Sequence, residues 1–258
     1  EFFPKKKYFF PLRIVSTNFP IGISYNSGTS AQLKSAVMLA GLNSYGNTKI
    51  SDTKKSRDHT ENMLKNNKNA IKVKKGITNF IEVFGKKDLK QLNIKVPGDP
   101  SSAAFFTALT LLNNNSSLKI KNVCLNKTRI GFYNLLKKKG AKIKFTNLRI
   151  ENNETRGDIF VQSSILKPIK ASKKYYVNST DEYPILFIVA ALTRGISRFQ
   201  GIGDLANKES NRIKEMQKIL KQIGIKSVST KNDLKIYGKG KSENHKRKIR
   251  VKRLGDHR

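Results

Sequence analysis

Acidic side chains are scarce in this chain: 18 Asp and Glu stand against 52 Lys and Arg in 258 residues, a formal charge of +34. Cysteine is scarcer still. Cys124 stands alone, which excludes an internal disulfide framework and any CxxC metal site. No N-terminal apolar stretch has the shape of a signal peptide, and no run of about 18 apolar residues offers a membrane span. A soluble protein of a reducing compartment, the cytoplasm, with no membrane partner is therefore expected. The first residue is Glu1 and the last are Gly255-Asp256-His257-Arg258, so both ends read as cut and the chain as a fragment. With 37% hydrophobic residues it can still build real cores, in one large or two ordinary domains.

What the chain has in excess is lysine. Only 12 of the 52 basic residues are Arg, leaving 40 Lys, spread among many Asn and Ile. That spread fits A+T-rich coding bias at exposed positions, and no stacking-aromatic or groove-helix motif accompanies it, so no nucleic-acid partner is expected. The exception is Lys239 to Arg253. Its runs His245-Lys246-Arg247-Lys248 and Arg250-Lys252-Arg253 read as a nucleic-acid patch, while the alternation Lys248-Ile249-Arg250-Val251-Lys252 reads as an edge strand with its charged face in water. A surface this positive steers anionic metabolites toward any cleft it lines.

Apolar helices mark a weak internal repeat. Ser30-Ala31-Gln32 precedes Leu33 to Leu42, Ser101-Ser102 precedes Ala103 to Leu112, and Thr180-Asp181-Glu182 precedes Tyr183 to Leu192, each beginning with cap-forming residues. A short strand follows each (Thr48 to Ser51, Leu118 to Lys121, Ser197 to Gly201). Then come a polar loop and a second, amphipathic helix (Thr60 to Lys65, Gly131 to Lys139, Glu209 to Ile223). The period, Ile50 to Ile120 to Phe199, suits a βαβαββ unit used several times. The first helix of each unit is nearly apolar all round and is expected to be buried, its capped start facing something polar. Several such starts side by side make a donor-rich floor for phosphate and carboxylate groups. Val96-Pro97-Gly98-Asp99-Pro100 marks a domain boundary.

Lys208-Glu209-Ser210-Asn211-Arg212 sets two cations and a carboxylate at what the spacing of Ile213, Met216, Leu220 and Ile223 predicts to be the first turn of a helix closed by Gly224. Cations at a helix start lose roughly 0.3–1 kcal/mol each, so an anionic ligand is expected to compensate. The plain alternative is a solvated charged turn.

Six runs in order carry a family resemblance. They are Ser30-Ala31-Gln32-Leu33-Lys34-Ser35, Ser56-Arg57-Asp58-His59-Thr60-Glu61, Val96-Pro97-Gly98-Asp99 with Ser101-Ser102-Ala103-Ala104, Asp181-Glu182-Tyr183-Pro184, Lys208-Glu209-Ser210 with Arg212, and Gly255-Asp256-His257-Arg258. In them the chain resembles the 5-enolpyruvylshikimate-3-phosphate synthase (3-phosphoshikimate 1-carboxyvinyltransferase) family over nearly its whole length. The resemblance implies an α/β fold, a two-domain inside-out α/β barrel of repeated βαβαββ units. Both domains are incomplete here: 1–97 would be the end of the first, shikimate-phosphate-side domain and 98–258 most of the second.

It also implies the chemistry. The 5-hydroxyl of shikimate 3-phosphate adds to phosphoenolpyruvate and phosphate leaves, a step of the shikimate pathway toward chorismate and the aromatic amino acids. The family works without metal or organic cofactor, and a monomer is expected. By resemblance Asp181 is the general base at the hydroxyl and Glu209 protonates the methylene carbon, for which a raised proton affinity is expected. Ser30, Ala31, Gln32, Arg57, Asp181 and Lys208 correspond to contacts with shikimate 3-phosphate; Gln32, Arg212 and Arg258 correspond to contacts with phosphoenolpyruvate, where arginine's planar fork suits carboxylate and phosphate. Plainer roles compete. Asp181 suits a helix cap, Arg57 a surface arginine capping the following helix, and Glu209 an exposed first-turn acid. His59 and His245 read as structural or solvent-exposed, His257 as orienting Arg258, and Cys124 as a small buried side chain.

The chain departs from the family pattern at Asn207 and Asn211, where relatives carry arginine and aspartate, and at Asp204 in a spot usually filled by Asn or Glu. An N-terminal Lys-Ser and Arg motif, an Asn-Ala-Gly-Thr loop and a late lysine lie beyond these ends, so the chain alone is expected to be inactive. Rival readings are the sister transferase acting on UDP-N-acetylglucosamine, a basic nucleic-acid-binding protein, and a decayed fragment.

Overall fold

A computed structural model describes residue 13 and residues 15–241. Two compact units divide the chain: the first runs to residue 53 and resumes at 64–91, and the second takes in 54–63 and everything from 92 onward. The basic patch from Lys239 to Arg253 lies outside the described residues beyond 241, as do His245, His257 and Arg258.

In the first unit, β1 (Ser24–Asn26), α1 (Ala31–Leu42), β2 (Asn47–Asp52), β3 (Ile71–Lys74) and β4 (Asn79–Phe84) build a sheet of order β1-β2-β4-β3. Only β1 and β2, the pair joined through α1, run parallel. Alternation along β2 turns Thr48, Ile50 and Asp52 inward. Ile50, Ile81 and Val83 then pack with Met38 of α1. Ser30 caps α1, its Oγ accepting the Leu33 N–H at 3.2 Å. Lys34, Met38 and Gly41 form the buried stripe, and a Cβ at Gly41 would stand 2.9 Å from the Thr48 side chain, so the residue has to be small. Lys34 Nζ meets Asp52 Oδ2 at 2.9 Å, both side chains being wholly buried. Removing either partner of such a pair costs about 3–5 kcal/mol.

The second unit holds α2 (His59–Leu64, through Met63), α3 (Pro100–Leu112), β5 (Ser117–Cys124), α4 (Gly131–Lys137), β6 (Lys142–Glu151), β7 (Glu154–Gln162), β8 (Lys170–Ala171), α5 (Tyr183–Ala191), β9 (Gly195–Phe199), α6 (Arg212–Gln222), β10 (Ser227–Ser229) and β11 (Leu234–Gly238). Its sheets run β5-β7-β6 and β10-β11-β9-β8, with β8 and β9 parallel. The expected repeat is there three times. Each copy reads helix, strand, helix, strand, strand, and places its last strand between the other two. In the middle copy a single parallel bridge, Gly98 to Val123, stands where the others have a leading strand.

One expectation fails. Of the first helices, only α5 is buried as expected, with no exposed residue from Tyr183 to Ala191, whereas Leu33 of α1 is 54% exposed and Phe105, Phe106 and Leu109 of α3 are 54–60% exposed. Among the described residues α1 and α3 pack their other sides onto a sheet or a neighbouring helix, so in those two apolar composition outruns the surface available to cover it. Side-by-side helices are found in the second unit, where α3 packs against α5. Phe187 of α5 also meets Phe199 of β9 edge to face, with ring centroids 4.9 Å apart. The cap of α3 is Asp99, which accepts from the N–H groups of Ser101 and Ser102, with Pro100 at the first helical position.

Candidate active site

The second unit gathers four of the expected residues into one chain of charges. Asp181 stands in a short 3-10 turn, Thr180–Glu182, that leads into α5. Arg57 donates to its Oδ2, and Arg212 Nη1 lies 3.6 Å from its Oδ1. The other arm of Arg212 donates to Glu209 Oε2 at 2.8 Å. Arg212 is 5% exposed and Asp181 14%, so these charges interact in a medium well below the dielectric of water. Glu209 is 45% exposed and is the open end of the chain.

Asp181 and Arg57 stand close to helix starts and also meet each other. Glu182 at the cap position of α5 makes no side-chain cap bond, and Arg57, two residues before α2, donates to the Asp181 carboxylate. The expected first turn at Lys208 and Glu209 is also corrected. Helix α6 begins at Arg212, because Asn211 takes the cap position and accepts the Lys214 N–H at 3.0 Å. Lys208 and Glu209 precede the helix in extended and turn backbone, so only Arg212 meets the helix start. Its charge there is offset by Asp181 and Glu209.

Behind this row stand residues that spacing alone did not reveal. Lys208 Nζ lies 3.1 Å from Asp204, which also accepts the Tyr176 hydroxyl at 2.6 Å. Burial pushes the Asp204 carboxyl up, but those two donors outweigh it and hold the group below its ordinary range. Glu182 is 2% exposed and accepts from Ser101 Oγ, while Arg129 donates to Ser101 Oγ at 2.8 Å and to Asp99 at 2.6 Å. Burial raises the Glu182 carboxyl above its usual range. Gly131 lets the start of α4 approach the chain before Asp181: its N–H donates to Asn178 O, and a Cβ would sit 2.3 Å from Ser179 Oγ.

Segment 54–63 lies between two strands of the first unit in sequence yet packs with the second. It is pinned by His59 Nδ1 to Glu154 Oε1 at 2.8 Å, by Asn62 Nδ2 to the same oxygen at 3.2 Å, and by Asn126 Nδ2 bridging Asp58 and Glu154 at 2.8 and 2.9 Å. Burial opposes the Glu154 charge, but the bonds from His59, Asn126 and Asn62 together lower its pKa. The one available signal was Asn126-Lys127-Thr128, an Asx-turn sequence in which Asn126 Oδ1 accepts from the Thr128 N–H and hydroxyl. Nothing in the spacing pointed to Glu154. In the first unit, Ser30 serves as the α1 cap and Ala31 and Gln32 open that helix, Gln32 exposed. A concavity of about 650 Å³ on that unit's sheet, lined by Tyr25, Lys72 and Phe80, includes none of the three.

This repeated α/β arrangement recurs in a solved enolpyruvyl transferase of low sequence identity. The enolpyruvyl transferase NikO of Streptomyces tendae shares it at 12% identity, with a TM-score of 0.59 over 83% of this chain and 51% of that one. Sequence narrows the class. Residues 5–258 match the model of the EPSP synthase (3-phosphoshikimate 1-carboxyvinyltransferase) family, and the chain belongs to that family. The 3-phosphoshikimate 1-carboxyvinyltransferase of Persephonella marina is 40% identical over 218 residues, 84% of this chain and 50% of its own length. That of Zymomonas mobilis is 42% identical over 205 residues, 79% of this chain and 45% of its own. The EPSP synthase of Acinetobacter baumannii superposes with a TM-score of 0.75 at 37% identity, over 87% of this chain and 50% of that one. The chain thus spans about half the length of the curated relatives it matches.

Proposed function

We propose that the protein to which this chain contributes transfers the enolpyruvyl group of phosphoenolpyruvate to the 5-hydroxyl of shikimate 3-phosphate, releasing inorganic phosphate, and that it acts as a cytoplasmic monomer. The observation that carries this reading is the row Arg57, Asp181, Arg212, Glu209, in which both candidate acid–base groups contact one buried guanidinium. In the addition step Asp181 takes the hydroxyl proton as the oxygen bonds to the central carbon of phosphoenolpyruvate, and Glu209 gives a proton to the methylene carbon, which becomes methyl. In the elimination Glu209 removes a proton from that methyl, the double bond re-forms, and the carbon–oxygen bond to phosphate breaks. The leaving phosphate takes its proton from Asp181.

The ion pairs have a use in this scheme. Arg212 holds Glu209 at 2.8 Å until an anionic substrate competes for the guanidinium. Binding phosphoenolpyruvate would draw Arg212 away and leave Glu209 free to carry a proton. Ser30, Ala31, Gln32, Arg57 and Lys208 are assigned to shikimate 3-phosphate, and Gln32, Arg212 and Arg258 to phosphoenolpyruvate. Residues 1–97 are assigned to the end of the first domain and 98–258 to the second.

The test is made on the protein with both ends completed, by measuring phosphate release that requires both substrates. Asp181→Asn or Glu209→Gln should lower kcat by about 100-fold or more with binding of both substrates nearly unchanged. Normal turnover in either variant overturns the roles. Phosphate release with UDP-N-acetylglucosamine in place of shikimate 3-phosphate overturns the choice of acceptor.

A further inference from the structure

Three side chains of different chemistry converge away from the row described above. His59 opens α2, Cys124 ends β5 and Glu154 begins β7, so elements far apart in sequence bring them together. Their imidazole, thiol and carboxylate ligand atoms all lie within 4.8 Å of one another. His59 Nδ1 is 2.8 Å from Glu154 Oε1, and Cys124 Sγ is 4.0 Å from Glu154 Oε2. In a tetrahedral zinc site with bonds of about 2.0–2.3 Å, ligand atoms stand about 3.3–3.8 Å apart. The three groups reach that spacing by moving about an ångström.

We propose that His59, Cys124 and Glu154 form a binding site for a borderline divalent cation of the zinc class. A thiolate, an imidazole and a carboxylate make up the donor set that such ions prefer over magnesium or calcium. The charges of thiolate and carboxylate cancel that of the ion. Binding breaks the His59–Glu154 hydrogen bond and the Cys124 thiol contact with Glu154, forms three metal–ligand bonds and releases the thiol proton to solvent. The surroundings favour such a site, because Asn126 and Asn62 donate to the two Glu154 oxygens and fix the carboxylate's direction, the role outer partners play at metal centres. All three ligands line a cleft of about 300 Å³ with Pro97 and Gly98, which leaves a fourth position for water or a small ligand. The site lies outside the acid–base row, and an ion there would fasten segment 54–63 to the β5–β7 sheet.

The test uses the full chain and Co2+ as probe. One equivalent should produce a near-ultraviolet sulfur-to-cobalt band and tetrahedral visible bands, both displaced by Zn2+. Since Cys124 is the only cysteine, the band reports that thiol. Cys124→Ser should abolish it, and His59→Ala and Glu154→Gln should each weaken affinity at least about 10-fold. Alkylation of Cys124 in the unaltered protein, which needs no variant to fold, should slow when Zn2+ is present. The proposal is overturned by no band at one equivalent, by affinity unchanged in both His59→Ala and Glu154→Gln, or by an alkylation rate indifferent to zinc.

Discussion

Two buried carboxylates of the second unit are shifted in opposite directions, and pH separates them. Asp158 stands opposite the register break between Ile120 and Val123 of β5 and beside the one between Thr146 and Arg149 of β6. At those breaks Asn122 and Asn147 adopt positive φ, and Asp158 accepts the Asn122 N–H at 3.0 Å and Asn147 Nδ2 at 2.7 Å. These bonds, with Lys119 at 3.2 Å, lower its pKa from 3.8 to about 2. Its stabilisation is complete above the unfolded value and is lost as pH falls toward about 2, so urea midpoints of the protein and Asp158→Asn should converge over that fall. Glu182 behaves in the reverse sense. Burial raises its pKa from 4.5, so its contribution is full below that value and lost as pH rises. Glu182→Gln should therefore gain on the unaltered protein as pH rises above that value, and a pH-independent difference would exclude the shift.

Helix starts and ends were legible where a cap or a breaker is written in the local sequence. Ser30 caps α1 as spacing predicts, and the helix after Gly131 begins where expected. Helix α6 shows the limit. Lys208 and Glu209 stand just ahead of the apolar period of the following helix, but Asn211, one residue before Arg212, is a better cap than either and sets the start there. Asn211→Ala should cost about 1 kcal/mol, or about 2–4 °C in Tm, and Asn211→Gly only a few tenths of a kcal/mol. Equal losses in the two variants would show that the side-chain bond to Lys214 does not set the start. Arg57 and Asp181 show what periodicity omits: they lie 124 residues apart, and nothing local to either names the other.

For the whole molecule, the surplus of basic over acidic side chains is a property of the field, not of the fold. If that surplus serves capture of anionic substrates, kcat/KM of the completed protein should fall several-fold as salt rises past about 0.1 M, where the screening length shortens to about 10 Å. An unchanged kcat/KM would assign the lysines to solubility alone. No helix among the described residues is long and apolar enough to cross a membrane. Residue spacing was enough to announce the three-fold repeat and its apolar helices, and six short runs carried the family resemblance, because periodicity, capping and motifs depend on neighbours along the chain. Packing in three dimensions was needed to carry segment 54–63 onto the second unit, to set two guanidiniums on Asp181, and to bring His59, Cys124 and Glu154 within reach of one another. Those pairings join strands and turns far apart in sequence, and the side chains that make them carry no local signature of their partners.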